Sequence, residues 1–214
     1  ISDLTGIEDF SALTELFCGE NQLTSLDVSN NTALTELECW DNQLTSLDVS
    51  GATALTWLDC DLNQLTSLDV SNNTALVELA CGGNQLTCLD ISNNLFLEFL
   101  ACDYNFLNQL SLQNGNYLDF EIEAESNNLI CVEVDNVGYA NVNWIDVFDN
   151  GVVFNTNCNY TNPCATVSTI EEHTTNKEIL KITDILGRET EEKRNTLLFY
   201  IYKDGTVEKK IIIE

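Results

Sequence analysis

Three consecutive stretches of this chain are near-copies of one another. LTELFCGENQLTSLDVSNNTA runs from Leu13 to Ala33, LTELECWDNQLTSLDVSGATA from Leu34 to Ala54, and LTWLDCDLNQLTSLDVSNNTA from Leu55 to Ala75. Looser copies start at Leu76 and Leu97, again at a 21-residue step. A repeat of this length cannot bury its apolar side alone. It must stack on its neighbours, so the chain is expected to form a solenoid. Counting the first Leu of each unit as offset 0, apolar residues fall at offsets 0, 3, 5, 10, 13 and 15: Leu34, Leu37, Cys39, Leu44, Leu47 and Val49 in the second copy. Offsets 3 and 5, and again 13 and 15, have the strand period of two, which puts each pair on one face. Every coil should therefore hold two short extended runs joined by Asn-, Asp- and Ser-rich turns, with no helical periodicity.

LxxLxCxxNxL resembles the leucine-rich repeat signature LxxLxLxxNxL with Cys at the third Leu. The tail LDVSNNTA resembles the short bacterial subclass, whose convex side is extended as well. The resemblance covers roughly residues 4–136 and recurs in register five times. It implies a mainly β leucine-rich repeat solenoid with extended segments on both sides, and a curved parallel sheet on the concave side. It also implies a hydrogen-bonding ladder of the offset-8 residues Asn21, Asn42, Asn63, Asn84 and Asn105. The chemistry supports that role independently, because an amide both donates and accepts where a buried turn leaves backbone groups unpaired.

Charge divides the chain. Residues 1–176 carry no Lys or Arg against 27 Asp and Glu, while residues 177–214 hold all 8 basic and 8 acidic residues, which together give the net charge of −27. A body without cations cannot neutralise phosphates, which argues against nucleic acid or an anionic membrane surface as partner. No run approaches a membrane-spanning length. The chain starts mid-pattern at ISDLTGIEDF, which reads as a fragment or processed form lacking its N-terminal cap; residues 1–12 make a partial coil with Ile1, Leu4, Ile7 and Phe10.

Of the nine cysteines, Cys18, Cys39, Cys60, Cys81 and Cys102 share offset 5. Stacked parallel strands hold such residues about 4.8 Å apart with parallel side-chain vectors, whereas a disulfide needs converging Cβ atoms. They read as buried small apolar residues, and a flat row makes no tetrahedral metal site. Cys88 replaces an outward Ser and reads as a free thiol. Cys131, Cys158 and Cys164 remain as candidates for bridges.

A sixth, degenerate unit places Ile122, Ala124, Leu129, Val132 and Val134 inward and Asn127 in the ladder. Aromatic Tyr139, Trp144, Phe148 and Phe154 then gather, as a cap requires. SNNLICVEVDNVGYANVNW resembles the terminal unit of Bacteroidetes leucine-rich repeat proteins, in which a Cys131–Cys158 bridge would staple the cap. KITDILGRE and FYIYKDGTVEKKIIIE resemble the C-terminal sorting domain of type IX secretion cargo. That resemblance implies export through the outer membrane and contact with secretion machinery through 177–214. The strands there are expected to meet in a tight turn at Asp204–Gly205. The division is thus solenoid 1–138, cap 139–164, linker 165–176 and a small β-rich sorting module 177–214.

Catalysis is not expected. His173 is the sole histidine and lies in the linker, and no nucleophile elbow, phosphate loop or metal-ligand spacing occurs, so no cofactor or metal is assigned. Asp27, Asp48, Asp69 and Asp90 form an outward column at offset 14, whose neighbours repel by about 0.9 kcal/mol in water. A solvated acidic face is the simpler reading there than a Ca²⁺ row, since calcium wants six to eight converging oxygens. The concave strand offers the better binding surface. Phe17, Glu36, Glu38, Trp40, Trp57, Asp59, Asp61 and Phe99 point outward from it, followed by Tyr104. Exposed aromatics among carboxylates suit a basic protein or a hydroxyl-rich glycan; packing of the rings over small neighbours such as Gly19 is the structural alternative. The function expected is a secreted or cell-surface binding and adhesion module. The alternatives are a stalk without a ligand and a glycan-binding adhesin.

Overall fold

The computed structural model describes residues 1–118 and 120–160, and the backbone of three further strands within 179–211. The chain divides into two compact units, Ile1–Thr166 and Val167–Glu214.

In the first unit each repeat makes one coil. The offset 2–4 segments are strands β1 (Glu15–Phe17), β2 (Glu36–Glu38), β3 (Trp57–Asp59), β4 (Glu78–Ala80), β6 (Phe99–Ala101) and β8 (Glu121–Glu123), which pair in parallel into one six-stranded sheet in that order. The register advances by the repeat: Glu15 faces Glu36, Glu36 faces Trp57, Trp57 faces Glu78 and Glu78 faces Phe99. Phe99 faces Glu121, one residue beyond the period, so the insertion in the sixth coil is absorbed before its strand begins.

The second extended run behaves differently along the stack. In the first three coils it yields only an isolated bridge between Asp27 and Asp48. From the fourth coil it becomes a regular parallel sheet of β5 (Cys88–Asp90), β7 (Gln109–Leu112), β9 (Cys131–Val134) and β10 (Val153–Asn155). The two extended runs expected per coil thus pair to different degrees, the first in every coil and the second regularly only from the fourth onward. In all four coils the Asp of this run, Asp27, Asp48, Asp69 and Asp90, accepts from the amide of the Ser two residues on, so the same side-chain turn follows the run whether or not a ladder forms.

Between the sheets lies one apolar stack. Leu34, Leu37, Cys39, Leu44 and Val49 have no exposure, and their equivalents in the neighbouring coils are buried as well. The inward set of the sixth coil, Ile122, Ala124, Leu129, Val132 and Val134, continues it. At the other end Leu4 and Ile7 pack against the stack, whereas Ile1 and Phe10 are exposed. After β9 comes the helix α1 (Val137–Asn143), which the sequence reading did not anticipate; Asn136 caps it by accepting from the Tyr139 amide. Trp144, Phe148 and Phe154 are buried behind it, with edge-to-face contacts of Phe120 on Trp144 and Phe148 on Phe154. A Cys131–Cys158 disulfide crosses this region.

The second unit contains β11 (Ile179–Thr183), β12 (Leu197–Tyr202) and β13 (Val207–Ile211), an antiparallel three-stranded sheet with β12 in the middle. The Asp204–Gly205 turn, His173, Cys164 and the linker expected over 165–176 lie outside the described residues.

Candidate binding surface

The polar interior of the coils is built before any surface can be. Asn63 shows the pattern. Its Nδ2 donates to the carbonyls of Cys39, Cys60 and Asp61, and its Oδ1 accepts from the Leu44 amide of the preceding coil. Asn42, Asn84 and Asn105 repeat that set, and Asn127 extends it. Asn21 donates to Cys18 and Gly19 and accepts from the Ile1 ammonium. The residue just before each ladder Asn sits in the left-handed region: Glu20, Asp41, Leu62, Gly83, Tyr104 and Ser126. That kink ends the strand and swings the amide inward, so the side chains at this position project at the sheet's edge.

A second buried ladder escaped the sequence reading. Asn31, Asn73 and Asn94, at offset 18, donate to carbonyls of the coil before, as Asn73 does to Val49 and Ala52. Their Oδ1 atoms are buried without a partner. The signal was present, since offset 18 is Asn in three of five units, but Ala52 interrupts it.

With strand positions locked, the outer face of the six-stranded sheet reads as rows across the coils. The offset-2 row runs Glu15, Glu36, Trp57, Glu78, Phe99, Glu121. Trp57 thus stands between two glutamates and is 39% exposed, while Phe99 is half-buried. The next row runs Phe17, Glu38, Asp59, Ala80, Ala101, Glu123, with Phe17 57% exposed at its start. Trp40 behaves otherwise. A Cβ on Gly19 would lie 2.6 Å from its Nε1, so the indole rests on the glycine backbone and is half-buried. Trp40 is thereby engaged in packing, whereas Phe17 and Trp57 remain exposed on the strands of this face.

Small residues open a trough in this face. Ala80, Ala101 and Gly82 form its floor, Asp59 and Asp61 stand on one side, and Asp103, Glu123 and Glu125 on the other. Asp61 accepts from the Gly82 amide at 2.6 Å, and a Cβ on Gly82 would meet Asp103 Oδ1 at 2.9 Å. Burial, then the neighbouring Asp59, push the Asp61 carboxyl up to about 7 against the lowering effect of the Gly82 amide; Asp103 and Glu123 add to the rise. Asp59 is raised too, first by burial, although it accepts from the Asp61 amide. Tyr104 is not on a strand. Its left-handed backbone places it beyond the strand end, at the far side of the trough.

The remaining cysteines and carboxylates are structural. Cys18, Cys39, Cys60, Cys81 and Cys102 are buried thiols, raised above their ordinary range chiefly by burial, Cys18 to about 11. Cys88 is disulfide-bonded, which corrects its reading as a free thiol. In the offset-14 column the carboxylates of Asp27 and Asp48 are held below their usual range by the serines two residues on. Among the described residues no group of three or more His, Cys, Asp or Glu is arranged to hold a metal ion.

No protein-family model and no curated protein sequence matches the chain. Several solved structures do. A leucine-rich repeat protein of Leptospira interrogans is 30% identical with a TM-score of 0.54, over 59% of this chain and 34% of that one. An internalin, InlF, of Listeria monocytogenes is 20% identical with a TM-score of 0.50, over 72% and 51%. The functional domain of InlJ from the same species, described as including a cysteine ladder, is 33% identical over 62% and 41%, with a TM-score of 0.37. The chain spans between about a third and a half of the length of these proteins. Parallel strands at a 21-residue register, an inward Asn ladder and the likeness to the Leptospira structure converge on one conclusion: the repeat coils of this chain have the leucine-rich repeat fold.

Proposed function

We propose that this chain is a secreted or cell-surface module that binds a protein partner through the outer face of its six-stranded sheet, the concave side of the leucine-rich repeat fold. The observation that carries the reading is the exposure of Phe17 and Trp57 on that face among carboxylates with no Lys or Arg in residues 1–176. Rigid aromatics supply binding energy at low entropic cost, and unneutralised carboxylates attract a basic surface. Its solved neighbours are leucine-rich repeat proteins, a class of binding scaffolds. The division into solenoid 1–138, cap 139–164, linker 165–176 and sorting module 177–214 belongs to the same proposal, with the last part directing export across the outer membrane.

A Phe17→Ala/Trp57→Ala variant of the full chain tests the binding surface, since both rings are exposed and thermal unfolding should match the parent. Each ring should contribute about 2 kcal/mol or more to a partner complex, so retention on cell surfaces should fall. Retention equal to the parent's would favour a stalk. For export, deletion of 177–214 should leave the protein in the periplasm with its solenoid folded; normal surface delivery would refute the sorting role.

A further inference from the structure

At the cap end of the trough the sheet closes into a hollow of about 260 Å³, lined by Asp103, Tyr104, Ile122, Glu123, Glu125 and Val147. That is smaller than the roughly 300–1,000 Å³ of sites enclosing whole small molecules; it fits one long side chain. Its lining is held by backbone pairing. The Tyr104 amide donates to the Glu125 carbonyl at 3.0 Å, and the Ala124 amide to the Val147 carbonyl at 3.3 Å. Asp149 fixes the next turn by accepting from the amides of Ser126 and Asn127.

Three different chemistries meet there. Val147 is half-buried and gives an apolar wall, while Ile122, whose side chain belongs to the stack between the sheets, borders the hollow from the edge strand β8. Asp103, Glu123 and Glu125 supply carboxylates, and residues 1–176 contain no Lys or Arg to neutralise them. Tyr104 is 66% exposed and offers an aromatic ring at the rim. A guest matching all three needs an aliphatic stem, a positive charge and a flat face. Lysine lacks the flat face. Arginine has the stem, a planar guanidinium that stacks on aromatic rings, and a donor fork for carboxylates. We infer that the hollow beside Tyr104 receives an arginine side chain of a protein partner, anchoring that partner at the cap end of the sheet's outer face. The inference rests on the protein-binding reading and deepens it. The small residues Ala80, Ala101 and Gly82 leave the partner's backbone a path from the hollow towards Trp57.

The test uses the full chain with N-acetyl-arginine amide as probe in 150 mM salt, followed by amide chemical shifts. N-acetyl-lysine amide and the uncharged N-acetyl-citrulline amide are the controls. Saturable shifts should cluster at residues 103–104, 122–125 and 147, be weaker for lysine and vanish for citrulline. Glu123→Gln/Glu125→Gln should weaken arginine binding roughly ten-fold. Tyr104→Gly, which keeps the left-handed backbone, should weaken it about three-fold. Phe17→Ala/Trp57→Ala should leave it unchanged. Equal shifts with citrulline would overturn the inference, as would shifts spread along the exposed Asp27, Asp48 and Asp69 column, which mark a general attraction of cations to an acidic chain. Loss of partner retention in the Phe17/Trp57 variant alongside absent arginine binding would sink this inference while the broader binding reading stands.

Discussion

Asn63 and Asn73 are both buried asparagines in neighbouring turns, yet their hydrogen bonds differ in kind. Asn63 satisfies donors and acceptors on two coils, whereas Asn73 only donates and its Oδ1 is unpartnered. Asn63→Ala orphans the Leu44 amide and should cost roughly 3 kcal/mol in urea unfolding. Asn73→Ala should cost roughly 1 kcal/mol, because removing it also removes an unpaired acceptor and Ala52 already fills that position in the second coil. Equal losses would show that the two ladders do the same work. Asp61 makes the residue-scale case for pH. Its folded carboxyl is raised from 3.8 to about 7, so the proton it holds stabilises the fold fully below about 4, and that contribution is lost as pH rises through about 7. Asp61→Asn should flatten the decline in unfolding free energy between about pH 4 and 7, with Asp59 accounting for a remaining decline of the same sign.

At the scale of the element, the coil is a repeat whose copies are not interchangeable. Offset 17 is Asn30, Asn72 and Asn93 but Gly51 in the second coil. Repeat logic recommends Gly51→Asn as a stabilising consensus change. The structure predicts the opposite, since a Cβ at Gly51 would lie 1.9 Å from the Ser29 carbonyl oxygen, a backbone atom that cannot step aside. The variant should unfold at lower urea than the parent, and a rise in midpoint would refute this account of the turn. The cysteine ladder, one residue beyond the strand ends, leads to a second expectation. Native protein should resist alkylation at Cys18, Cys39, Cys60, Cys81 and Cys102, because burial both blocks access and disfavours the thiolate. Mass mapping that found bridges between adjacent ladder members would contradict it.

For the whole molecule, stability must come from apolar stacking and internal amides in spite of the charge. The first 176 residues have no Lys or Arg, so their 27 carboxylates repel without side-chain ion pairs to Lys or Arg within that span. Screening over about 10 Å at 0.1 M salt and 3 Å at 1 M should relieve that repulsion. Raising NaCl from 10 mM to 1 M should therefore raise the thermal unfolding midpoint, the reverse of what a fold held by surface ion pairs would show. A midpoint unchanged or lowered by salt would mean the outward carboxylates are already neutralised in the fold.

The sequence by itself determined the coil. A 21-residue period with apolar positions two apart leaves one way to bury Leu37 with Cys39 and to keep Glu38 out, and the ladder Asn follows because each turn leaves the same backbone groups unpaired. Strand register, the inward set of the sixth coil and the aromatic rows were readable for that reason. What only the tertiary structure decided were relations between coils that the repeat does not encode. Trp40 packs on Gly19 while Trp57 stays open, because a glycine happens to precede one and a glutamate the other across the register. Asp103, Glu123 and Glu125 look like any other carboxylates in an acidic chain, and they become the wall of a hollow only where Ala80, Ala101 and Gly82 leave space and the cap brings up Val147. Helix α1 was hidden likewise, since it forms where the repeat decays and tertiary packing, not periodicity, sets the backbone. The second extended run was readable, and the tertiary structure decided only that it pairs regularly from the fourth coil onward.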